Sequence, residues 1–398
     1  MAKLIEITGK PFSGEWGSDD EIGNGIPVIR TTNFTNKGIV DYANVVTRCI
    51  EKKNIEDKYL QYGDIILEKS GGSDKQPVGR VVFFEGTEHK YLFNNFTGLL
   101  RIKDKSKWLP KFVFYSLFAS YLRGETRNFE NKTTGLHNLK IDLYMSNIEV
   151  NDFPYTKQMD IVKKIDKINF LIELREKQIE KLDLLVKSRF IELFGDPVFN
   201  NKGWKVYKLK EVTKKIGSGA TPKGGKESYP NEGISFIRSL NVHDGLFEFK
   251  DLAHLTEQQA KQLNNVAVEK EDVLINITGA SVARTCVVPA EILPARVNQH
   301  VSIIRCNKDY ISPIFVNRQF LNDSFKKRLL KIGEAGGATR QAITKQQLED
   351  ISVIVPTYDL QKAFAHFIQQ TDKSKLAIQQ SLEKLEILKK SLMQEYFG

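Results

Sequence analysis

The sequence lacks the features of secreted, zinc-binding and membrane-spanning proteins. It has only three cysteines, Cys49, Cys286 and Cys306, which lie far apart and form no C-x-x-C pair. This set predicts neither a disulfide framework nor a zinc site, and it fits a reducing cytoplasm. No run approaches 18 apolar residues, and the start MAKLIEITGK has no apolar core with a cleavage site. We therefore expect neither secretion nor insertion into a membrane.

Catalytic motifs are also missing. The segment ATPKGGKE (220–227) comes closest to a phosphate-binding loop, but Ala220 and Glu227 stand where that pattern needs Gly and Ser or Thr. No Gly-rich cofactor loop with an Asn/Asp-Pro-Pro-aromatic turn indicates a methyltransferase, and no strand carrying Glu-x-Lys after an Asp indicates a nuclease. The six histidines form no His-x-x-x-His pair. The sequence therefore predicts a protein without an active site or a bound metal.

Acidic residues are too few to balance the basic ones. Fifty-nine Lys and Arg stand against 49 Asp and Glu, which gives a formal net charge of +10. The hydrophobic share of 41% is ordinary for a globular protein, and 398 residues are enough for two or three domains. The positive excess makes a polyanion such as DNA the first partner to consider.

What the sequence does contain is a long helical segment, used twice. The stretch 155–194 has neither Gly nor Pro, and its apolar residues alternate in a four-three spacing that is typical of a coiled coil. The chain's end repeats it, with nine of sixteen residues identical between EKLDLLVKSRFIELFG (180–195) and EKLEILKKSLMQEYFG (383–398). Two long helices with matching stripes would bury those stripes best against each other.

The regions between the helical segments repeat as well. A shift of 208 positions sets ISFIRSLN (234–241) on IPVIRTTN (26–33), and EDVLINITGAS (271–281) on GDIILEKSGGS (63–73). Each region then continues into a helical run, so the chain is a duplication. We expect an α+β fold in which two similar α/β domains are separated by two long antiparallel coiled-coil helices. The expected boundaries are 1–153 and 196–355 for the domains and 154–195 and 356–398 for the helices.

Polar loops recur at equivalent places in the two domains, and their chemistry suits DNA. Arg and Asn pair with base edges in the major groove, while Gly-containing loops with hydroxyls approach phosphates. For each group a solvated turn without function is the alternative. The candidate DNA-binding residues of the first domain are Arg30, Thr31, Thr32, Asn33, Lys69, Ser70, Ser73, Lys75, Asn94, Asn95, Lys132, Thr133 and Thr134. Those of the second are Lys223, Lys226, Arg238, Ser239, Asn241, Thr278, Ser281, Asn298, Gln299, His300, Thr339, Arg340 and Gln341.

With these features, the whole chain resembles the specificity subunits of type I restriction-modification systems. The resemblance is carried by GGATRQAITKQQLEDISVIVP (336–356) and GSGATPKGGKESYPNEGISFI (217–237), and by the helix ends KSRFIELFGDP (187–197) and KSLMQEYFG (390–398). The first domain departs from the family pattern at 8–17 and at 133–154.

The resemblance implies a DNA-recognition subunit that is not itself an enzyme. Each domain would read one half of a split, asymmetric site in double-stranded DNA. The long helices would form a spacer that docks two modification (methyltransferase) subunits, and restriction (endonuclease) subunits would complete the complex in the cytoplasm. S-adenosylmethionine, ATP and Mg would belong to those partners, with no cofactor in this chain. Two alternatives stay open: a DNA methyltransferase or nuclease with unrecognised motifs, and a coiled-coil interaction protein that does not read DNA sequence.

Overall fold

The computed structural model describes residues 1–52, 54–133, 136–222, 229–334 and 341–398. The contacts divide the chain into two units. The first unit comprises Met1–Glu176 and Gln380–Gly398, and the second comprises Lys177–Gln379. Both long helices therefore contribute residues to each unit. Among the described residues, no helix combines the length and the apolar character needed to cross a membrane.

The first unit is built from short strands and a few helices. Its strands are β1 (Ala2–Lys3), β2 (Phe12–Ser13), β3 (Ser18–Asp19), β4 (Ile26–Ile29), β5 (Val46–Cys49), β6 (Ile65–Glu68), β7 (Ser70–Gly72), β8 (Val81–Phe83), β9 (Leu92–Phe93), β10 (Thr97–Leu100), β11 (Glu130–Thr133), β12 (Leu136–Leu139) and β13 (Glu149–Val150). Its helices are α1 (Leu4–Thr8), α2 (Pro110–Leu122), α3 (Ile141–Asn147) and the start of the long helix α4 (Tyr155–Phe194).

The second unit follows the same plan. Its strands are β14 (Lys205–Lys208), β15 (Thr213–Ser218), β16 (Ile234–Ile237), β17 (Val242–His243), β18 (Leu246–Phe247), β19 (Ala253–Leu255), β20 (Ala267–Val268), β21 (Val273–Asn276), β22 (Thr285–Val287), β23 (Ala295–Val297), β24 (Val301–Cys306) and β25 (Ser352–Val355). Its helices are α5 (Glu257–Gln262), α6 (Pro313–Leu321), α7 (Asp323–Glu334), α8 (Lys345–Glu349) and the start of the long helix α9 (Tyr358–Phe397).

The main sheets of the two units correspond. The order β2-β10-β6-β8 returns as β15-β24-β21-β22. The order β5-β4-β9 returns as β19-β16-β23, with an antiparallel pair followed by a parallel pair in each unit. The first of these sheets is extended by β3 next to β5, and the second by β20 next to β23. The pair β1-β13 returns as β14-β25. The first unit adds the sheet β11-β12-β7, whereas the second adds the hairpin β17-β18. The internal duplication expected from the sequence is therefore present in the topology.

The core of each unit lies between a central sheet and the helix that follows it. Strand β6 contributes Ile65, Ile66 and Leu67, which are fully buried, because one face packs on helix α2 and the other on the second sheet. Helix α2 is apolar all round, and residues 112–120 are buried on every side. This is the pattern of a helix enclosed by the core, rather than of a surface helix with one apolar stripe.

The two long helices run antiparallel within each unit. In the first unit the beginning of α4 meets the end of α9, where Lys164 Nζ lies 3.1 Å from the hydroxyl of Tyr396. In the second unit the end of α4 meets the beginning of α9, and the rings of Phe194 and Phe364 lie 5.2 Å apart. The predicted α+β class, with two similar α/β parts and two long antiparallel helices, is confirmed.

A buried glutamine fixes the beginning of each long helix. The Oε1 atom of Gln158 accepts a hydrogen bond from Leu109 N at 2.9 Å, and its Nε2 donates to Lys107 O and Phe153 O. Gln361 repeats the arrangement with the N–H of Ser312 and the carbonyls of Tyr310 and Pro356. Both glutamines are fully buried. Each one ties its long helix to the start of the core helix, α2 or α6.

A second repeated device is a buried ion pair. Arg101 binds Asp64 through two parallel hydrogen bonds of 2.8 and 2.7 Å, and Arg305 binds Asp272 through two of 2.9 Å. The carboxylates also accept a backbone N–H, from Gln61 in one unit and Glu269 in the other. Such bidentate pairs fix geometry as well as charge. In the second unit, the hydrogen bond to Asp272 raises the pKa of Arg305 above its usual value.

Candidate nucleic-acid interface

The same turn follows the central parallel strand in each unit. After β4 the backbone N–H of Arg30 donates to Oδ1 of Asn33 at 3.0 Å, and after β16 Arg238 N donates to Oδ1 of Asn241 at the same distance. The Nδ2 of Asn33 donates to two carbonyls, those of Asp41 and Asn44. Because the amide holds both arms of the loop, it fixes the shape of the turn.

These contacts correct the sequence-based assignment of both asparagines. Asn33 is 1% exposed and Asn241 is 0% exposed, and Asn241 donates to the carbonyls of Glu248 and Lys250 as Asn33 does in its own unit. An amide whose oxygen and nitrogen are both bound by backbone has no free edge for a base. The two asparagines hold the turn, and the candidates for base contact at this place are Arg30, Thr31, Thr32, Arg238 and Ser239.

The arginines of the two turns are held alike. The Nη2 of Arg30 donates to Asn44 O at 3.3 Å, and the Nη2 of Arg238 donates to Asp251 O at 2.5 Å. In both residues Nε is buried, and none of the described residues offers it a hydrogen-bond partner. Each guanidinium is therefore anchored on one side, and the Nη1 edge is the part that remains for an incoming acceptor.

The support beneath the turn differs between the units. In the first unit Arg80 donates to the carbonyl of Thr31 at 3.1 Å while it forms a two-bond ion pair with the buried Glu68. In the second unit, the corresponding carbonyl of Ser239 accepts from the Nδ2 of Asn276 at 2.9 Å. Burial raises the pKa of Glu68, although Arg80 opposes that shift. The equivalent turn carbonyl is thus bound by an ion-paired arginine in the first unit and by a neutral amide in the second.

Backbone hydrogen bonds bring the other candidates of the first unit together. Asn94 N donates to Ile29 O at 3.0 Å, which places the 94–95 loop beside the Arg30 turn. Lys69 N and Ser70 N both donate to Phe96 O, so the start of β7 joins the same group. Ser70 Oγ also bonds Asn138 of β12. The structure therefore brings three of the predicted loops together: 30–33, 69–75 and 94–95.

The exposure of these first-unit side chains varies. Thr32, Ser73, Lys75 and Asn95 are exposed, whereas Asn94 is 5% exposed and its Oδ1 accepts from the hydroxyl of Thr97. Asn94 is therefore a structural residue and not a free donor. Burial lowers the pKa of Lys69, and the positive charge of Lys58 lowers it further.

The 130–133 strand adds a charged edge to this group. Lys132 of β11 forms an ion pair with Asp74 at 2.7 Å, and His137 of β12 lies 3.7 Å from the same carboxylate. The carboxylate of Asp74 has its pKa lowered, first by the hydrogen bond with Lys132. This pairing occupies the amino group of Lys132 in the absence of DNA.

The candidates of the second unit also converge. Asn298 N donates to Ile237 O at 3.0 Å, Ile277 N donates to His300 O at 2.9 Å, and Gly279 N donates to Gln341 O at 2.9 Å. These bonds place the loops that begin at Arg238, Thr278, Asn298 and Gln341 side by side. Ser281 lies in the same turn as Gly279 and is half-buried. Asn298 is 6% exposed and its Oδ1 accepts from His300 N, so it is a structural residue like Asn94.

A chain of side-chain hydrogen bonds runs through this second group. Thr221 Oγ1 bonds Oε1 of Gln299, and the Nε2 of Gln299 lies 3.1 Å from Nε2 of His300. The Nδ1 of His300 lies 2.5 Å from Oγ1 of Thr278. Gln299 itself is exposed.

Several predicted residues lie outside the part of the chain that the structure describes. They are Thr134, Lys223, Lys226, Thr339, Arg340 and the side chain of Thr133. Within the described part, no group of three or more His, Cys, Asp or Glu side chains is arranged to hold a metal ion.

Sequence reasoning missed the residues that support these loops. Arg80, Glu68, Asn276 and Thr221 were not predicted, although each contacts a predicted loop. A signal was present for the turn asparagines, because Arg-x-x-Asn is the one polar pattern identical in both turns. The asparagine of this pattern closes the turn in both units, and the arginine is anchored to the backbone in both.

Known proteins share this sequence pattern. The family model for the type I restriction modification DNA specificity domain matches residues 201–388. A Methanocaldococcus jannaschii protein, named provisionally as the MjaX type I restriction enzyme specificity subunit, is 25% identical over 395 residues, covering 94% of this chain and 86% of its own. The MjaVIII specificity subunit of the same organism is 24% identical over 315 residues, covering 74% of this chain and 71% of its own.

Solved structures share the fold. The S subunit of a type I restriction-modification system from M. genitalium superimposes with a TM-score of 0.58 at 15% identity, covering all of this chain and 95% of that one. A chain solved in work on assembly and conformational transition of the type I R-M system gives a TM-score of 0.57 at 16% identity, covering all of this chain and 96% of that one. This chain is therefore similar over most of its length to specificity subunits of type I restriction enzymes, and residues 201–388 match their DNA specificity domain.

Proposed function

We propose that the chain reads a bipartite, asymmetric site in double-stranded DNA, with one half of the site for each unit. The observation that carries this proposal is the repeated turn with an anchored arginine, set in two different polar surroundings. A shared frame gives both units the same way of approaching DNA. Different side chains on that frame give each unit its own preference.

The proposed base contacts come from exposed and half-exposed side chains around the turns. In the first unit these are Arg30, Thr32, Ser73, Lys75 and Asn95. In the second unit they are Arg238, Ser239, Thr278, Gln299 and Gln341, with His300 behind them. Lys69, Lys132 and the net charge of +10 supply attraction to phosphates, which should make binding strongly dependent on salt.

We propose that two modification subunits dock on the long helices. The support comes from an exposed apolar pair that occurs once in each unit. Leu184 and Leu185 of α4 are 62% and 48% exposed in the second unit, and Ile387 and Leu388 of α9 are 69% and 47% exposed in the first. The pairs hold equivalent positions in the repeated sequence, which suits two copies of one partner.

The proposal assigns the chemistry to the partners. S-adenosylmethionine would be bound by the modification subunits, ATP and Mg by the restriction subunits, and the complex would work in the cytoplasm.

Co-purification tests the proposed docking of the modification subunits on the long helices. Replacing Leu184 and Leu185 with Asp should leave one modification subunit bound per chain, as should the same change at Ile387 and Leu388, and combining both changes should leave none. Retention of two subunits by the combined variant would contradict this docking surface.

Mapping methylated bases in a host genome, with and without this gene, tests the reading of DNA. We expect one bipartite motif to lose its methylation when the gene is removed. Arg30→Ala should relax only one half of that motif, and Arg238→Ala only the other half. If either change altered both halves equally, the assignment of one unit to each half would be wrong.

A further inference from the structure

We propose that Gln299 reads an adenine in the second unit's half of the DNA site, and that His300 and Thr221 hold its amide in the orientation this requires. The inference rests on the proposed function. It assigns a base to one side chain and separates that reader from the residues that position it. The direction of each hydrogen bond between Thr221 and Thr278 supports this assignment.

While His300 is neutral, only one assignment of donors and acceptors is possible for the series of hydrogen bonds from Thr221 to Thr278. Thr221 bonds the oxygen of the Gln299 amide, so its hydroxyl must donate. The amide nitrogen of Gln299 can only donate, so Nε2 of His300, 3.1 Å away, must be the acceptor. The ring proton is then on Nδ1, which donates to Oγ1 of Thr278 at 2.5 Å.

This direction leaves a defined pair of groups on Gln299. The amide nitrogen has used one of its two protons, and the amide oxygen has used one of its two lone pairs. With respect to the described residues, a free N–H and a free acceptor therefore remain side by side on an exposed side chain. In the major groove, adenine offers the complementary pair, the N7 acceptor and the N6 donor, which glutamine binds through two hydrogen bonds.

The first unit has no glutamine–histidine pair at the equivalent positions, which shows that the arrangement depends on side chains and not on the backbone. Asn95 and Phe96 occupy the positions of Gln299 and His300, and in both units the second residue's carbonyl accepts the same strand N–H, from Lys69 or Ile277. The backbone is thus alike. A phenyl ring has no nitrogen to accept a hydrogen bond from a neighbouring amide, so Phe96 cannot orient Asn95 as His300 orients Gln299.

The test for the reader uses the complex of this chain with its modification subunits and a duplex carrying the mapped site. Each adenine of the second half is replaced in turn by 7-deazaadenine, which keeps base pairing but replaces the N7 acceptor with C–H. We expect one replacement to weaken binding by roughly 5- to 150-fold, the range for loss of one good bidentate contact. In Gln299→Ala the same replacement should have no further effect.

The positioning role of His300 needs a readout other than loss of binding. His300→Phe copies the residue of the first unit and removes the acceptor, so the penalty for 7-deazaadenine should shrink several-fold even where binding to DNA remains. His300→Gln restores an acceptor oxygen and should restore most of the penalty. Gln262→Ala, at an exposed glutamine of α5, is the matched control and should change neither binding nor penalty.

The possible outcomes separate this inference from the proposed function. A second half-site without adenine on either strand, or a 7-deazaadenine penalty that persists in Gln299→Ala, would overturn the role of Gln299. An equal penalty in His300→Phe and the unchanged chain would overturn the role of His300. Specific binding to the bipartite site would survive in all three cases. Loss of specific binding by the unchanged complex would instead contradict the proposed function.

Discussion

The two units keep the same skeleton and differ in what they place on it. Both contain the buried Asp–Arg pair, the buried glutamine at the start of a long helix, and the turn closed by an asparagine. Their polar edges differ, since a buried ion pair supports the turn of the first unit and the neutral Asn276 supports that of the second. The residues that hold the backbone are thus retained in both units, together with the anchored arginine of each turn, and most of the other polar side chains around the turns differ.

The largest expected effect comes from breaking the shared ion pair. Asp64→Ala and Asp272→Ala each remove the buried carboxylate that pairs with a largely buried guanidinium, because Arg101 and Arg305 have side chains only 18% and 19% exposed. Arg305 keeps an ion pair with Glu269, so the larger loss is expected for Asp64→Ala. We expect each change to lower the free energy of unfolding of its unit by about 3 to 5 kcal/mol. Denaturation in urea measures this.

The matched control is Asp160→Ala, at an exposed position of α4, which should cost less than about 0.5 kcal/mol. A cost that was large in one unit and negligible in the other would show that the two pairs are equivalent in geometry but not in energy.

The next effect concerns the glutamines that fix the long helices. Gln158→Ala leaves a buried N–H and two carbonyls without partners, and Gln361→Ala does the same in the second unit. Because water can reach some of these groups after relaxation, we expect each change to lower the free energy of unfolding by about 2 to 3 kcal/mol. Thermal unfolding measures it, with Gln380→Ala, at an exposed position of α9, as the control. If the loss of unfolding free energy in either glutamine variant were no larger than in Gln380→Ala, that glutamine would not fix its long helix.

A smaller effect should distinguish the units. Glu68→Gln keeps the shape of the side chain but removes the charge that holds Arg80, which in turn holds the carbonyl of Thr31. We expect discrimination at the first half-site to fall about tenfold, equivalent to about 1.4 kcal/mol, while the second half-site is read as before. Competition with duplexes altered in one half at a time measures both. Asn276→Ala should give the reverse pattern, and equal losses at both halves would contradict separate supports.

The fold was predictable because its signals are periodic and repeated. Strands β4, β6, β16 and β21 all fall within the repeated segments 26–33, 63–73, 234–241 and 271–281, and α2 falls in the helical run that follows in the first domain. The seam positions Ile161, Ile165, Ile168 and Ile172 are buried as the four-three spacing predicts. Hydrophobic period depends on the sequence nearby, so one sequence is enough to detect it.

The candidate site was predictable in place but not in detail. The sequence predicted polar loops at equivalent places in the two domains but not that they lie side by side, and four asparagines in them are buried structural residues: Asn33, Asn94, Asn241 and Asn298. An asparagine that binds backbone and one that binds a base have the same local sequence, and only the folded partners tell them apart. The supports Glu68, Arg80 and Asn276 depend on contacts between residues distant in sequence, which no local pattern reveals.

The smallest expected effect is an acid sensitivity confined to the second unit. Asp350 accepts hydrogen bonds from Gln346 Nε2 at 2.6 Å, Lys210 Nζ at 3.0 Å and Lys208 Nζ at 3.2 Å, and it thereby links the end of α8 to β14. These partners, Gln346 first, hold the pKa of Asp350 well below its usual value of 3.8. The position equivalent to Asp350 in the first unit is Asn147, which does not titrate.

A carboxylate whose pKa is lower in the folded state stabilises the fold at pH values above its unfolded pKa. That stabilisation is lost as pH falls below about 4 toward the folded pKa. The chain should therefore lose more stability between pH 7 and pH 3 than Asp350→Asn does, and the difference should be small because the group is on the surface. Urea midpoints of both proteins at several pH values measure it, with Asp160→Asn as the control for general titration. Parallel midpoints for the chain and Asp350→Asn across this range would show that the two lysines do not stabilise the second unit through Asp350.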